Sequence, residues 1–315
     1  MADRIITQKL TDGGDPKFQP MSPDAFGSPH QQVVMPLFTV RDGNFVPIGT
    51  GFVVGGDGLM MTASHVVLEA AAAAGLPVCD EPQHLQGGDL YALYVSDERH
   101  GPNNEHFVGG LWPIQKSWCD RSLDIGWCWL RRAERNGKPV LFRRMRLSPG
   151  LPKVGDEITA FGYHGLSEPT KVGENGRRIV TFEHKGSFTT GRIIEIHAER
   201  RDSSMLSFPC FRTDARFEPG MSGGPVVNKE GSVCGVICSS FGLASGGDDY
   251  ISYASLVWPV LGTEIEVAPA EGEPVRATKI EALVRSGYIA TDGTETQIRV
   301  QTAPAANTVV SITAI

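Results

Sequence analysis

Eight consecutive residues, Glu218-Pro219-Gly220-Met221-Ser222-Gly223-Gly224-Pro225, set a serine among glycines. A serine hydroxyl is a poor nucleophile until a base removes its proton and the backbone leaves Oγ exposed. Flanking glycines permit a sharp turn and let amide N–H groups aim at a developing oxyanion. Here the donors would be Gly220 and Ser222, each typically worth a few kcal/mol of barrier. Taken alone, the same residues also describe a glycine-rich hairpin turn with an ordinary serine. A candidate base lies upstream in Thr62-Ala63-Ser64-His65, at the end of an apolar strand preceded by Gly49-Thr50-Gly51-Phe52. A lone histidine in such a place is commonly a satisfied core group. Between base and nucleophile comes Ser122-Leu123-Asp124-Ile125. Asp124, by itself a turn or cap residue, needs a partner if it is buried among its apolar neighbours. Together, in the order His, Asp, Ser, the three read as general base, orienter and nucleophile.

Order also removes rivals. Gly220-Met221-Ser222-Gly223-Gly224 formally matches a strand-to-helix nucleophile elbow, but that architecture places its histidine after the serine. All eight histidines here precede Ser222, His197 being the last. An arrangement with the aspartate first would draw on Asp42 or Asp57, and the all-β patterning of the chain opposes that fold.

The elements that must position these residues are short strands. QVVMPLFTV, FVPIGTGFVVGG and GLMMTASHVV are β-branched or alternating, and Asp42-Gly43 and Asp57-Gly58 between them suit tight hairpins. The alanines of VVLEAAAAAGLPV predict a short helix after His65, closed by Gly75 and Pro77. DLYALYV, HFVGGLWPI and SLDIGWCWLRR resume the strand pattern; residues 133–152 turn charged and irregular and form the candidate link between two halves. The second half repeats the style from EITAFGYH to DYISYASLVWPV. Thirty-seven glycines and 21 prolines in 315 residues favour such turn-rich architecture over long helices. Residues 1–31 read as an irregular arm, 32–265 as the main domain, and 266–315 as a linker and extension.

Composition narrows the function. The net charge of −7 comes with scattered basic residues, which gives no footprint for nucleic acid or an anionic membrane. No apolar stretch is long enough for a membrane helix or a signal peptide. Cys79, Cys119, Cys128, Cys210, Cys234 and Cys238 lie far apart, mostly in strand-like segments. Without an export signal they read as free thiols and the protein as cytoplasmic. His84, His100 and His106 share a polar stretch with Cys79, but their spacing matches no zinc pattern. No metal or cofactor is expected.

These motifs resemble those of trypsin-like serine proteases, closest to the bacterial HtrA/Deg branch. Thr213-Asp214-Ala215 with Pro219 to Gly224 is similar to that branch's nucleophile region. Val154-Gly155-Asp156 through Ala160-Phe161-Gly162-Tyr163, Gly191-Arg192-Ile193-Ile194 and Ile251-Ser252-Tyr253-Ala254 resemble its second-barrel strands. The resemblance implies two six-stranded antiparallel Greek-key β-barrels, at about 32–135 and 152–262, with short helices and a small C-terminal extension. His65 and Asp124 would come from the first barrel and Ser222 from the second, with a catalytic triad at the seam. It further implies a serine endopeptidase working through an acyl-enzyme on protein or peptide substrates. The alternative is a protease-fold binding module whose site is latent until a partner binds. An esterase or transferase using the same chemistry is a third reading.

Departures from the family pattern carry their own expectations. Digestive relatives place an aspartate before the nucleophile to receive a newly cut N-terminal ammonium; Met221 cannot, so the uncut chain is expected to be active. The substrate-pocket wall would come from Arg216 and from Cys238, Ser239 and Ser240. A buried Arg216 would favour an acidic substrate side chain, but a surface arginine is commoner. About fifty residues follow the protease region, too few for a typical PDZ unit. They offer a place for an activating partner or for oligomer contacts.

Overall fold

A computed structural model describes residues 4–7, 19–20, 32–78, 83–86, 90–100, 106–132, 134–135, 138–166, 170–174, 177–181, 185–242, 250–267, 276–302 and 308–312. In the first half, six strands run in order, β1 (Val34–Arg41), β2 (Asn44–Gly55), β3 (Leu59–Thr62), β4 (Leu90–His100), β5 (His106–Asp120) and β6 (Ile125–Leu130), with long stretches of β1, β2, β3 and β6 buried on both faces. They pair antiparallel in the closed ring β1-β2-β3-β6-β5-β4. Asp42 (φ 50°) and Gly43 (φ 72°) both occupy the left-handed region at the β1–β2 turn, as a tight hairpin demands. Helix α1 (Ser64–Ala73) follows β3 and carries His65 in its first turn. It ends as expected at Gly75 (φ 69°), whose amide donates to the Ala72 carbonyl.

The second half builds another six-stranded ring. β7 (Glu157–His164), β8 (Lys185–His197), β9 (Cys210–Thr213), β10 (Pro225–Asn228), β11 (Val233–Gly242) and β12 (Tyr250–Leu256) close in the order β7-β10-β11-β12-β9-β8. Closure removes sheet edges. One apolar cluster runs from Phe52 and Trp127 of the first barrel to Tyr163, Phe211 and Met221 of the second. Each such side chain stabilises by roughly 1.5–3 kcal/mol when fully buried, so the seam between the barrels is a core in its own right.

The arm expected to be irregular contributes two short strands. Arg4–Thr7 pairs with Phe107–Gly110 on the side of β5 away from β4, and Gln19–Pro20 pairs with β8. The first of these covers a stretch of β5 that lies beyond its pairing with β6. The link between barrels is pinned along its course: Phe142 N–H donates to Gly56 O at 2.7 Å, Met145 N–H to Val53 O at 2.8 Å and Ser148 N–H to Val233 O at 2.7 Å. Leu147 forms parallel bridges to Val233 on one side and Thr291 on the other.

The described part of the C-terminal extension is packed. A hairpin of β13 (Glu264–Val267) and β14 (Arg276–Lys279) leads into α2 (Ile280–Arg285). Ile280, Leu283, Val284, Ile289 and Ile298 join the main core cluster, and Trp129 Nε1–H of β6 donates to Glu266 O at 3.0 Å. Apolar residues that looked too sparse for a core of their own complete one that already exists.

Candidate active site

His65 stands where β3 turns into α1, and Asp124 stands in the turn that feeds β6. Both Asp124 carboxylate oxygens lie 3.1 Å from His65 Nδ1. Asp124 Oδ1 also accepts the His65 backbone N–H at 3.3 Å and the Ser64 hydroxyl at 2.8 Å. A carboxylate only accepts, so Nδ1 carries the proton and Nε2 is left with its lone pair. Asp124 has φ 49°, a left-handed conformation that aspartate tolerates better than most residues and that is uncommon outside glycine. The carboxylate side chain is 10% exposed and the imidazole 43%, so the ring reaches the surface from an anchored base. Burial opposes charging of the imidazole more than any other influence. The Asp124 charge, its hydrogen bond and the Glu69 carboxylate one helical turn away together prevail, raising the His65 pKa above its ordinary 6.5.

The turn that carries the candidate nucleophile Ser222 is seated between the barrels. Glu218 O accepts the Met221 N–H at 3.0 Å across a turn whose third residue, Gly220, has φ 95°, as a type II turn requires. A Cβ on Gly223 would lie 2.1 Å from Thr62 Oγ1 and 2.8 Å from Ala63 N; one on Gly49 would meet both Val66 and the Ser222 carbonyl. Ser222 is therefore held against the residues flanking His65. Among the described residues no hydrogen bond joins Ser222 to His65, and no acceptor takes the N–H of Gly220 or of Ser222. Met221 is fully buried, and its thioether accepts the Glu218 N–H at 3.4 Å, a seat with no charge to pair with an ammonium.

Residues 49–236, spanning Gly49 to Val236, match the trypsin-like peptidase domain family. The chain belongs to that family. The MamO protease domain from Magnetospirillum magneticum is 16% identical with a TM-score of 0.44, over 73% of this chain and 94% of that one. Deg5 is 16% identical with a TM-score of 0.45, over 75% and 89%. The active form of the Rv3671c protease from M. tuberculosis is 18% identical with a TM-score of 0.44, over 81% and 92%. A search of curated proteins found no match.

In this trypsin-like chain, a depression of about 1040 Å³ surrounds His65 and Asp124. Leu68, Val78, Met205, Leu206, Phe208 and Cys238 are among the residues that line it, together with Ser239. Asp202 orders the loop that carries Met205 and Leu206: its Oδ1 accepts the N–H groups of Ser204, Met205 and Leu206 at 2.7–3.2 Å, which hold its pKa down to about 2. Cys238 donates to Tyr253 O at 3.1 Å, and burial pushes its thiol well above the usual range. The Ser240 side chain lies outside the described residues.

Arg216 departs from the surface reading. Its side chain is 18% exposed and paired with Glu218 at 2.6 Å. It lines a separate groove beside β7 and β8, away from His65. With its charge matched by Glu218, it gives little reason to favour an acidic substrate. Cys119, Cys128, Cys210, Cys234 and Cys238 are free and buried. The side chains of Cys79, His84, His100 and His106 lie outside the described residues; among the described ones no three His, Cys, Asp or Glu are grouped to hold a metal.

Sequence reasoning passed over two residues of the site. Ser64, next to the base, holds Asp124; Thr50, between Gly49 and Gly51, binds the nucleophile turn. A hydroxyl beside each catalytic motif was the available signal, but small polar residues are common in turns and only the contacts separate these.

Proposed function

We propose that this chain is a serine endopeptidase. Ser222 Oγ attacks the peptide carbonyl carbon as His65 Nε2 takes its proton, giving a tetrahedral oxyanion. The Gly220 and Ser222 N–H groups receive that oxyanion, Asp124 steadies the imidazolium, and His65 returns the proton to the leaving amine. Water, deprotonated by His65, then frees the acyl group. The observation that carries the reading is the Asp124-anchored imidazole beside a nucleophile turn whose two amides have no internal acceptor. Family membership supports it, and the buried free thiols support a reducing compartment such as the cytoplasm.

A second reading, a binding module of the protease fold that a partner or assembly must activate, draws on the missing Ser222–His65 hydrogen bond. Such bonds often tighten only with substrate bound. A fluorophosphonate probe decides between them. Labelling that disappears in Ser222→Ala and His65→Ala supports the peptidase; no labelling of the intact chain, with or without peptide, supports the binding module.

A further inference from the structure

We infer that the Thr50 hydroxyl is a positioning group for the oxyanion-binding turn, a role that rests on the peptidase reading. Thr50 lies in β2 of the first barrel and is fully buried. Its Oγ1–H donates to the Gly220 carbonyl at 2.9 Å, and the same oxygen accepts the Tyr163 N–H of β7 at 3.1 Å. Its backbone N–H donates to the Ser222 carbonyl at 2.8 Å, and its carbonyl accepts the Thr62 hydroxyl at 2.7 Å. One residue of the first barrel thus grips both residues whose amides face the oxyanion, and ties them to a strand of the second barrel.

The hydroxyl matters because of what it fixes. Gly220 tolerates many backbone conformations, so the direction of its peptide units must come from outside the residue. With its carbonyl bound to Thr50, the Gly220–Met221 peptide is fixed on one side of the Gly220 Cα, so a swing of the Gly220 torsions that re-aims its N–H strains or breaks that bond and leaves a half-buried acceptor short of a partner. The Tyr163 carbonyl lies 2.8 Å from the position of a Gly220 Cβ, which walls in the other side. The backbone bond from Thr50 to Ser222 survives any side-chain exchange. Only the hydroxyl contact depends on residue type, and only it reaches Gly220.

The test compares Thr50→Val, which keeps the shape and loses the hydroxyl, with Thr50→Ser, which keeps the hydroxyl. Fluorogenic peptide turnover is measured well below each protein's melting temperature. A whole oxyanion donor is worth about 10²–10³-fold in kcat. Misaiming one through Thr50→Val is expected to lower kcat about 10–100-fold with KM within about threefold, and Thr50→Ser recovers most of the loss. Fluorophosphonate labelling of Ser222 slows in parallel. Should Thr50→Val not fold, Thr50→Cys takes its place, with a weaker donor and a smaller but same-signed loss. Unchanged kcat in the variant lacking the hydroxyl, or an equal loss in Thr50→Ser, overturns the inference while wild-type turnover upholds the peptidase. If wild-type protein neither turns over peptides nor labels, the peptidase reading falls and takes this one with it.

Discussion

Replacing Asp124 with asparagine changes one atom and, by the geometry, reverses the base. Oδ1 already serves Ser64 Oγ–H and the His65 N–H, so the asparagine oxygen must stay there. Its NH₂ then falls on the Oδ2 position, 3.1 Å from Nδ1. Nδ1 then faces a donor beside the Oδ1 it shares with two other N–H and O–H groups, which favours the tautomer protonated on Nε2, the one with no lone pair for Ser222. A fall in kcat of about 10⁴-fold is expected, equal to about 5–6 kcal/mol of barrier. The pH profile supplies a second check. Catalysis needs neutral His65, so wild-type kcat/KM rises with pH through an apparent pKa above 6.5. Losing the Asp124 charge and its bond leaves burial to dominate, so the residual activity of the variant has its acidic limb at lower pH. Stability moves in a matching sense. A folded-state pKa above the unfolded one stabilises below the unfolded value and fades as pH rises through the folded value. The substitution should therefore cost more stability at about pH 5.5 than at about pH 9. A loss of less than about tenfold in kcat/KM, or an acidic limb that stays put, would refute this account of the pair.

Two other outcomes follow from packing. Gly223→Ala forces a Cβ to within 2.2 Å of the Thr50 carbonyl at φ 84°. The turn must open, and fluorophosphonate labelling should vanish while circular dichroism still reports folded barrels. Ile280→Ala removes a side chain with no exposed surface from the shared core, and chemical denaturation should show a loss of about 2–5 kcal/mol; a loss below about 1 kcal/mol would mean the extension is not integral.

Much of this site is legible because its parts obey local rules. Gly220, Gly223 and Gly224 mark a turn no other residues could make, and the order of His65, Asp124 and Ser222 admits few architectures. Short β-branched and apolar runs bounded by turn residues declare the strands, and Asp42-Gly43 declares a hairpin. What stays hidden depends on which side chains the folded backbone turns toward each other, near or far in the chain. Arg216 looks like a surface cation until Glu218, two residues on, turns out to face it, and Thr50 looks like an ordinary strand residue until the Gly220 carbonyl, 170 positions later, accepts a hydrogen bond from it. The extension reads as a tail because Ile280, Leu283 and Ile289 are too few to fold alone; their burial comes from barrels already formed.

The bridges that hold Leu147 between Val233 and Thr291 have a consequence for biosynthesis. A growing polypeptide that has left the ribosome as far as Leu256 owns every strand of both barrels and the bridge from Leu147 to Val233, but not the one to Thr291. Until residue 291 emerges, the strand linking the barrels is bridged at Leu147 on one side only, so the extension is the last piece to secure it.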